Sequence, residues 1–284
     1  MPLDFRYHLV SIVAFFGALL IGVLVGIALV GDPDLEKQVL AYTALVEEKD
    51  ARLQQLESRM RASQTFGKEL LPELIRNKLL GRHLAIITNS DHRQDPMVEQ
   101  LTPLLVGAGA RVNSVTTVLL PFVNLVSRDA APILQEAGYP MPVDRNVRAL
   151  LAGKMASHIA QGRPELLQRL RARRLIEVQG DYTQPADCIV LVGGYRNRER
   201  MAVEAIDLPM VRALQDIGVQ VVACEASDAP ISTVQYYQSR RISTVDDADT
   251  IPGQLALVLA ISGVEGDYGV KPTADHLLPP RSQW

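Results

Sequence analysis

Residues 83–119, HLAIITNSDHRQDPMVEQLTPLLVGAGARVNSVTTVL, decide the fold. The run opens on a short apolar stretch, HLAIIT, and breaks at the polar loop Asn89-Ser90-Asp91. An amphipathic segment over residues 97–106 follows and stops at Gly107 and Gly109, and a Val- and Thr-rich stretch over residues 111–119 closes it. Short β-branched stretches bounded by turn formers read as strands, and the change of period between them reads as a helix. The run is therefore a βαβ unit.

Toward the C-terminus the alternation pauses for a helical insertion and then resumes. Asp144 is placed to cap a helix carrying Val147, Leu150, Leu151, Met155 and Ile159, with Gly162 as its terminator. Pro164 starts a second helix with Leu166, Leu167 and Leu170 on one face. Ile176-Glu177-Val178 is a candidate strand, and residues 187–192 (DCIVLV) are apolar enough to be central in a parallel sheet. A helix over 209–217 ending at Gly218, a strand over 220–224, a short strand over 242–245 and a helix over 251–261 complete the pattern. Pro252 in its first turn and Gly263 after its end mark the last helix. The expectation for residues 68–284 is an open, mostly parallel, Rossmann-like α/β sheet with a helical insertion. The short continuous apolar runs do not match the ten-residue alternating segments of a transmembrane barrel.

Toward the N-terminus the character changes. Residues 9–30, LVSIVAFFGALLIGVLVGIALV, carry no charge. At 1.5 Å per residue they span about 33 Å, close to the hydrocarbon thickness of a bilayer. A secretory signal has a shorter apolar stretch and a small-x-small exit, whereas Val30 stands where a small residue is needed here. Residues 1–31 therefore read as a cytoplasmic N-terminus and an uncleaved single-pass anchor. Arg6 and His8 precede the span while Asp32, Asp34 and Glu36 follow it, which places the remainder of the chain outside the cytoplasm. Ala18, Gly22 and Gly26 recur every four residues, a small-residue face that lets two membrane helices approach.

Residues 32–67 read as a coiled-coil stalk. Val39, Val46, Leu53 and Met60 occupy heptad a positions, and Leu35, Tyr42 and Leu56 occupy d, with Lys49 in the seam. Arg52 at g and Glu57 at the next e suit a parallel homodimer, and the stalk is expected to fray near Ser63 to Gly67. The alternative is a solitary amphipathic helix folded onto the globular domain.

The 284-residue composition narrows the function classes. Twenty-nine Lys and Arg against 32 Asp and Glu leave a net charge of −3, without the basic excess of a nucleic-acid binder. Two cysteines make neither a disulfide framework nor a four-cysteine zinc site. Ligands of open α/β sheets bind outside the strand C-termini. Gly193 and Gly194, with Arg196 beyond them, are thus candidates to hold an anion, or else form a plain turn with solvated arginines. Asp91 beside His92 is an acid/base candidate or the cap of the next helix. Cys188 and Cys224 fall in core strands as buried thiols, with a soft-metal pair or a disulfide as the alternative. The arginines 169, 171, 173 and 174 read as a favourable helix C-terminus with an i,i+4 pair from Glu165, or as a contact for anionic headgroups or wall polymers. No GxGxxG, Walker or GxSxG motif occurs, so no enzyme is expected and no cofactor is evident.

The opening FRYHLVSIVAFFGALLIGVLVGIALVG (residues 5–31), followed at once by a coiled-coil pattern, resembles the MctB family of copper transport proteins. The closing GDYGVKPTADHLLPP (residues 266–280) is similar to that family's C-terminal segment. The resemblance implies copper homeostasis and efflux at the cell envelope, through a proposed outer-membrane channel, and assigns no site residues. One anchor helix and an α/β domain provide no pore. The combined expectation is a membrane-anchored envelope protein in contact with membrane lipid, a parallel homodimer, assisting an envelope transport partner as an accessory. A tethered dimeric scaffold or ligand-binding module without metal activity is the alternative.

Overall fold

The computed structural model describes residues 5–30, 33–89, 95–140, 146–195 and 202–284. The chain divides into two compact units, Met1–Thr65 and Phe66–Trp284. In the first, α1 (Phe5–Val30) contains Val10–Ile27, a stretch long and apolar enough to cross a membrane, none of it buried. A Cβ added at Gly22 or Gly26 meets nothing within 4 Å, so the small-residue face is open.

The helix α2 (Pro33–Ile75) leaves Tyr42, Val46, Leu53, Leu56 and Met60 exposed along the expected seam. The side chains of Leu35 and Val39 lie outside the described residues. Glu57 pairs with Arg61 of its own helix at 2.9 Å. The expected fraying at Ser63 to Gly67 does not occur, because the helix runs unbroken to Ile75. Its last turns are held by burial: Leu71 and Ile75 enter the core of the second unit, and Gly67 lies so close to Ile251 that a Cβ there would sit 3.0 Å away. Pro72 lies inside the helix, in its final turn.

The second unit is built on a seven-stranded sheet with the order β3-β2-β1-β4-β5-β6-β7. Its strands are β1 (His83–Thr88), β2 (Arg111–Val118), β3 (Ile176–Gly180), β4 (Cys188–Val192), β5 (Gln220–Cys224), β6 (Ser243–Val245) and β7 (Asp267–Tyr268). Every pair is parallel except β2 with β3. Strands β3 through β6 follow the doubly wound order, and β7 extends it. The antiparallel β3 ends a helical excursion that returns the chain to the edge it left; β7 is too short, at two residues, to carry a periodic signal.

Helices cover both faces. Leu84 and Ile86 of β1 join Val190, Val222 and Cys224 under α3 (Pro96–Gly107), α10 (Ile251–Ile261) and the end of α2. Ala85 and Ile87 point the other way, with Ile189, Leu191 and Val221. That second layer is made by α4 (Leu120–Val123), α5 (Ser127–Glu136), α6 (Val147–Gln161), α7 (Glu165–Ala172) and α8 (Leu208–Asp216), with α9 (Val234–Gln238) contributing Tyr237. Strands buried on both sides are continuous apolar runs, which is why residues 188–192 read clearly.

Several local expectations are revised. Asp95, not Asp91, caps α3 by accepting from the Met97 N–H at 3.0 Å, and Asn146, not Asp144, caps α6 by accepting from the Ala149 N–H at 3.2 Å. Asp91 and Asp144 lie outside the described residues. The ion pair expected between Glu165 and Arg169 is replaced by one across helices, in which Glu136 takes Arg173 at 2.6 Å and Arg169 at 3.6 Å.

Close packing at one helix start gives a direct test. A Cβ on Gly253 would lie 2.0 Å from the Asp247 carbonyl oxygen, whereas one on Gly107 meets nothing within 4 Å. Gly253→Ala should lower stability by about 2 kcal/mol or more, while Gly107→Ala should be neutral or stabilising by up to about 1 kcal/mol. Denaturant titration followed by circular dichroism separates the two; equal effects would contradict this packing.

Candidate functional site

With β3 as the exception, the strands are parallel, so their C-terminal ends lie along one rim of the sheet. After β1 the chain builds β2 and β3 on one side, then crosses to β4 on the other. The β1/β4 boundary is thus the topological switch point, where open α/β sheets bind ligands. Asn89 leaves β1 there, and Gly193, Gly194 and Tyr195 leave β4.

A buried polar cluster occupies this point. The Asp207 carboxylate, fully buried, accepts from Asn89 Nδ2 at 2.6 Å, from the Tyr195 hydroxyl at 2.9 Å and from the Tyr237 hydroxyl at 2.7 Å. Asn89 Nδ2 also donates to the Tyr195 oxygen at 3.0 Å. Asp207 ends a π-helical turn, Val203–Asp207, a geometry frequent at functional sites. Burial pushes its carboxyl up against the three hydrogen bonds that hold it down, and burial likewise pushes both tyrosines up. Asn89 Oδ1, also buried, has no partner among the described residues. Asp207 is not legible in sequence, because it stands alone in the apolar run Ala205-Ile206-Asp207-Leu208; that isolation is the only signal it gives.

The two glycines serve the chain itself. A Cβ on Gly193 would fall 2.3 Å from Thr233 Oγ1, and one on Gly194 would fall 2.9 Å from Ala229 Cβ. Gly194 also has φ +82°, and its N–H donates to Thr233 Oγ1 at 3.1 Å. The space beside the pair is filled by the segment after β5. Arg196 and Asp91, the other candidates of this region, lie outside the described residues.

A second cluster continues the rim. Glu225, at the end of β5 and fully buried, accepts from Lys271 Nζ at 2.6 Å, from Ser232 Oγ at 2.6 Å and from the Thr233 N–H at 2.7 Å. Asp246, at the end of β6, accepts from the Val270 and Lys271 N–H groups. A Cβ on Gly269 (φ +140°) would sit 2.0 Å from Asp246 Oδ1. The closing segment, residues 266–280, is therefore a strap, fixed across the rim by Lys271 and by the absence of a side chain at Gly269.

The cysteines face one layer but do not meet. Cys188 pairs in register with Gln220, and Val192 with Cys224, so the thiols are four residues apart along adjacent strands. At about 3.3 Å per residue that is about 13 Å, beyond disulfide reach and beyond sharing one ion. Both are free and buried, and burial pushes the Cys188 thiol up to about 12 and Cys224 up as well. Among the described residues no group of three or more His, Cys, Asp or Glu is arranged to hold a metal ion.

The chain belongs to the family described as copper transport outer membrane protein, MctB, whose model matches residues 3–279. No curated protein matches it. The match covers the helices α1 and α2, the whole sheet and nearly all of the strap that carries Lys271.

The Asp207 cluster makes a prediction with a sign. A carboxyl raised above its unfolded value binds its proton longer in the fold, so its contribution is full below the unfolded pKa and is lost as pH rises through the raised one. Asp207→Asn should therefore gain stability relative to the natural chain as pH rises above the ordinary carboxylate range. Asp207→Ala, which leaves three buried donors without an acceptor, should lose roughly 3 kcal/mol. Denaturant titrations at fixed pH values read both; a parallel pH course for the Asp207→Asn variant and the natural chain would refute the assignment.

Proposed function

We propose that this protein serves copper handling at the cell envelope as a non-enzymatic, membrane-tethered accessory of a transport system, and that it does not itself conduct the ion. The supporting observation is the sheet. Leu84 and Ile86 are buried on one face and Ala85 and Ile87 on the other, each under helices. A barrel wall instead needs one face toward lipid and one toward a lumen. The stretch Val10–Ile27 supplies a single candidate span, which suits an anchor. Charge on its flanks favours a cytoplasmic N-terminus and an extracytoplasmic α/β unit.

In this reading the stalk joins two copies in parallel. Tyr42, Val46, Leu53, Leu56 and Met60 are exposed at heptad spacing, a seam that a second copy would bury. The open face at Ala18, Gly22 and Gly26 favours the same parallel orientation within the membrane. A dimeric scaffold without any metal role is the competing reading, favoured by the wide separation and full burial of Cys188 and Cys224.

Two measurements test these points. In native membranes, Leu53→Cys or Leu56→Cys should form disulfide-linked dimers on mild oxidation, whereas Ser58→Cys on the opposite face should not; equal crosslinking at all three would remove the parallel dimer. The full chain reconstituted in liposomes should add no Cu(I) flux over empty vesicles, while its deletion from cells should raise copper accumulation. Flux from the purified chain would overturn the accessory role, and unchanged accumulation would favour the metal-free scaffold.

A further inference from the structure

An open cleft of about 670 Å³ lies between the segment after β5 and the C-terminal strap, apart from the Asp207 cluster. Its volume falls in the range of small-ligand sites. Pro230, Pro272 and Tyr236 give it flat apolar walls, and Ser232, Gln235 and Lys271 give it polar groups. No motif announces it, because its two walls are about forty residues apart in the chain and only the strap brings them together.

The chemistry of the lining narrows the occupant. Among the described residues Lys271 is the charged side chain lining the cleft, and its ammonium is neutralised by the buried Glu225 at 2.6 Å. Among the described residues two of its three N–H donors are used, toward Glu225 Oε1 and the Ala226 carbonyl at 3.1 Å, and the third is left for a ligand. Without net charge, the cleft has no reason to select an anion. Backbone groups are also already committed: the Ile231 N–H and C=O bond to Tyr195 at 3.1 and 3.0 Å, and the Thr273 C=O accepts from Gln238 Nε2 at 2.9 Å. An extended peptide, which binds through a row of main-chain bonds, would find few partners. A ligand with flat C–H faces and several neutral hydroxyls suits these groups: its ring faces lie on Tyr236 and the prolines, and its hydroxyls bond to Gln235, donate to the Ser232 oxygen, whose own proton goes to Glu225, and accept from the spare Lys271 N–H.

We propose that this cleft binds a neutral oligosaccharide, giving the extracytoplasmic unit a hold on glycan in addition to its membrane tether. The inference is independent of the copper role and stands or falls separately.

The full chain in phosphatidylcholine nanodiscs, free of sugar-based detergent, can be titrated with neutral tetrasaccharides of glucose, mannose, galactose and N-acetylglucosamine. An oligogalacturonate serves as charged comparator and a decaproline peptide as the alternative ligand. Saturation-transfer NMR should detect at least one neutral tetrasaccharide, with affinity falling about tenfold in Tyr236→Ala and about threefold in the exposed Gln235→Ala. A thermal melt of each variant checks that folding is retained, and Gln235→Ala alone suffices if Tyr236→Ala unfolds. Absence of binding by every neutral tetrasaccharide at millimolar concentration would overturn the proposal. So would binding unchanged in Gln235→Ala, or tighter binding of the oligogalacturonate or decaproline.

Discussion

A parallel sheet buried on both faces leaves chemistry only at its rims. In this chain the constraint begins with β1, whose alternate side chains disappear into two different helical layers. Along β1 neither face can meet solvent, lipid or a ligand without removing a layer. All polar function must then gather where the strands end, and there buried polar groups fall: Asn89, Glu225 and Asp246 each follow directly from a strand C-terminus, and Asp247 comes one residue later. Burying so many carboxylates at one rim demands donors, and the chain supplies them from distant places. Asp207 draws two tyrosine hydroxyls and an amide, and Glu225 draws a lysine from 46 residues downstream. Asp246 and Glu225 together thus explain why the C-terminal strap crosses the rim at all.

The division between what can and cannot be read from sequence follows from the same physics. Strands such as Cys188–Val192 and helices such as Ile251–Ile261 announce themselves, because continuous burial imposes continuous apolarity. Helix starts shift by a few residues from Asp91 and Asp144, where several polar side chains compete and geometry selects Asp95 and Asn146. The end of α2 is hidden because Ser63-Gln64-Thr65-Phe66-Gly67 looks like a break, yet the helix continues, with Gly67 small enough to pass Ile251. Tertiary packing overrides local propensity there. The rim is only half legible. Its loops can be placed from the strands, but Asp207 and Tyr237 reach it from elements without periodic or motif signals, and Lys271 from a closing segment whose family likeness assigns it no role.

Gly193 and Gly194 show how one sequence feature supports two physical accounts. Glycines after a central strand permit close approach of something to the backbone. In the fold, that something is Thr233 and Ala229 of the same chain. The segment that fills this space also lays down Pro230, Ser232 and Tyr236, one wall of the adjoining cleft. Closing the switch point and opening the cleft are therefore consequences of one loop path: a bulkier residue at Gly193 would displace Thr233, disturb the four hydrogen bonds on Glu225 and loosen the lysine that holds the opposite wall.

The family's description as a copper transport outer membrane protein sets the remaining problem in physical terms. Passing a soft cation through a protein calls for clustered thiolate or thioether ligands or a water-filled lumen. The two thiols here are held protonated by burial and are separated by four residues of strand register. Restoring either to a thiolate near the other would require dismantling β4 and β5, the centre of the sheet. A role through contact with other envelope components needs no such rearrangement, since the exposed apolar side chains of α2 and the rim cleft are available with the core intact. The accessory role proposed above asks least of this core, because it leaves the pairing of β4 and β5 as it is.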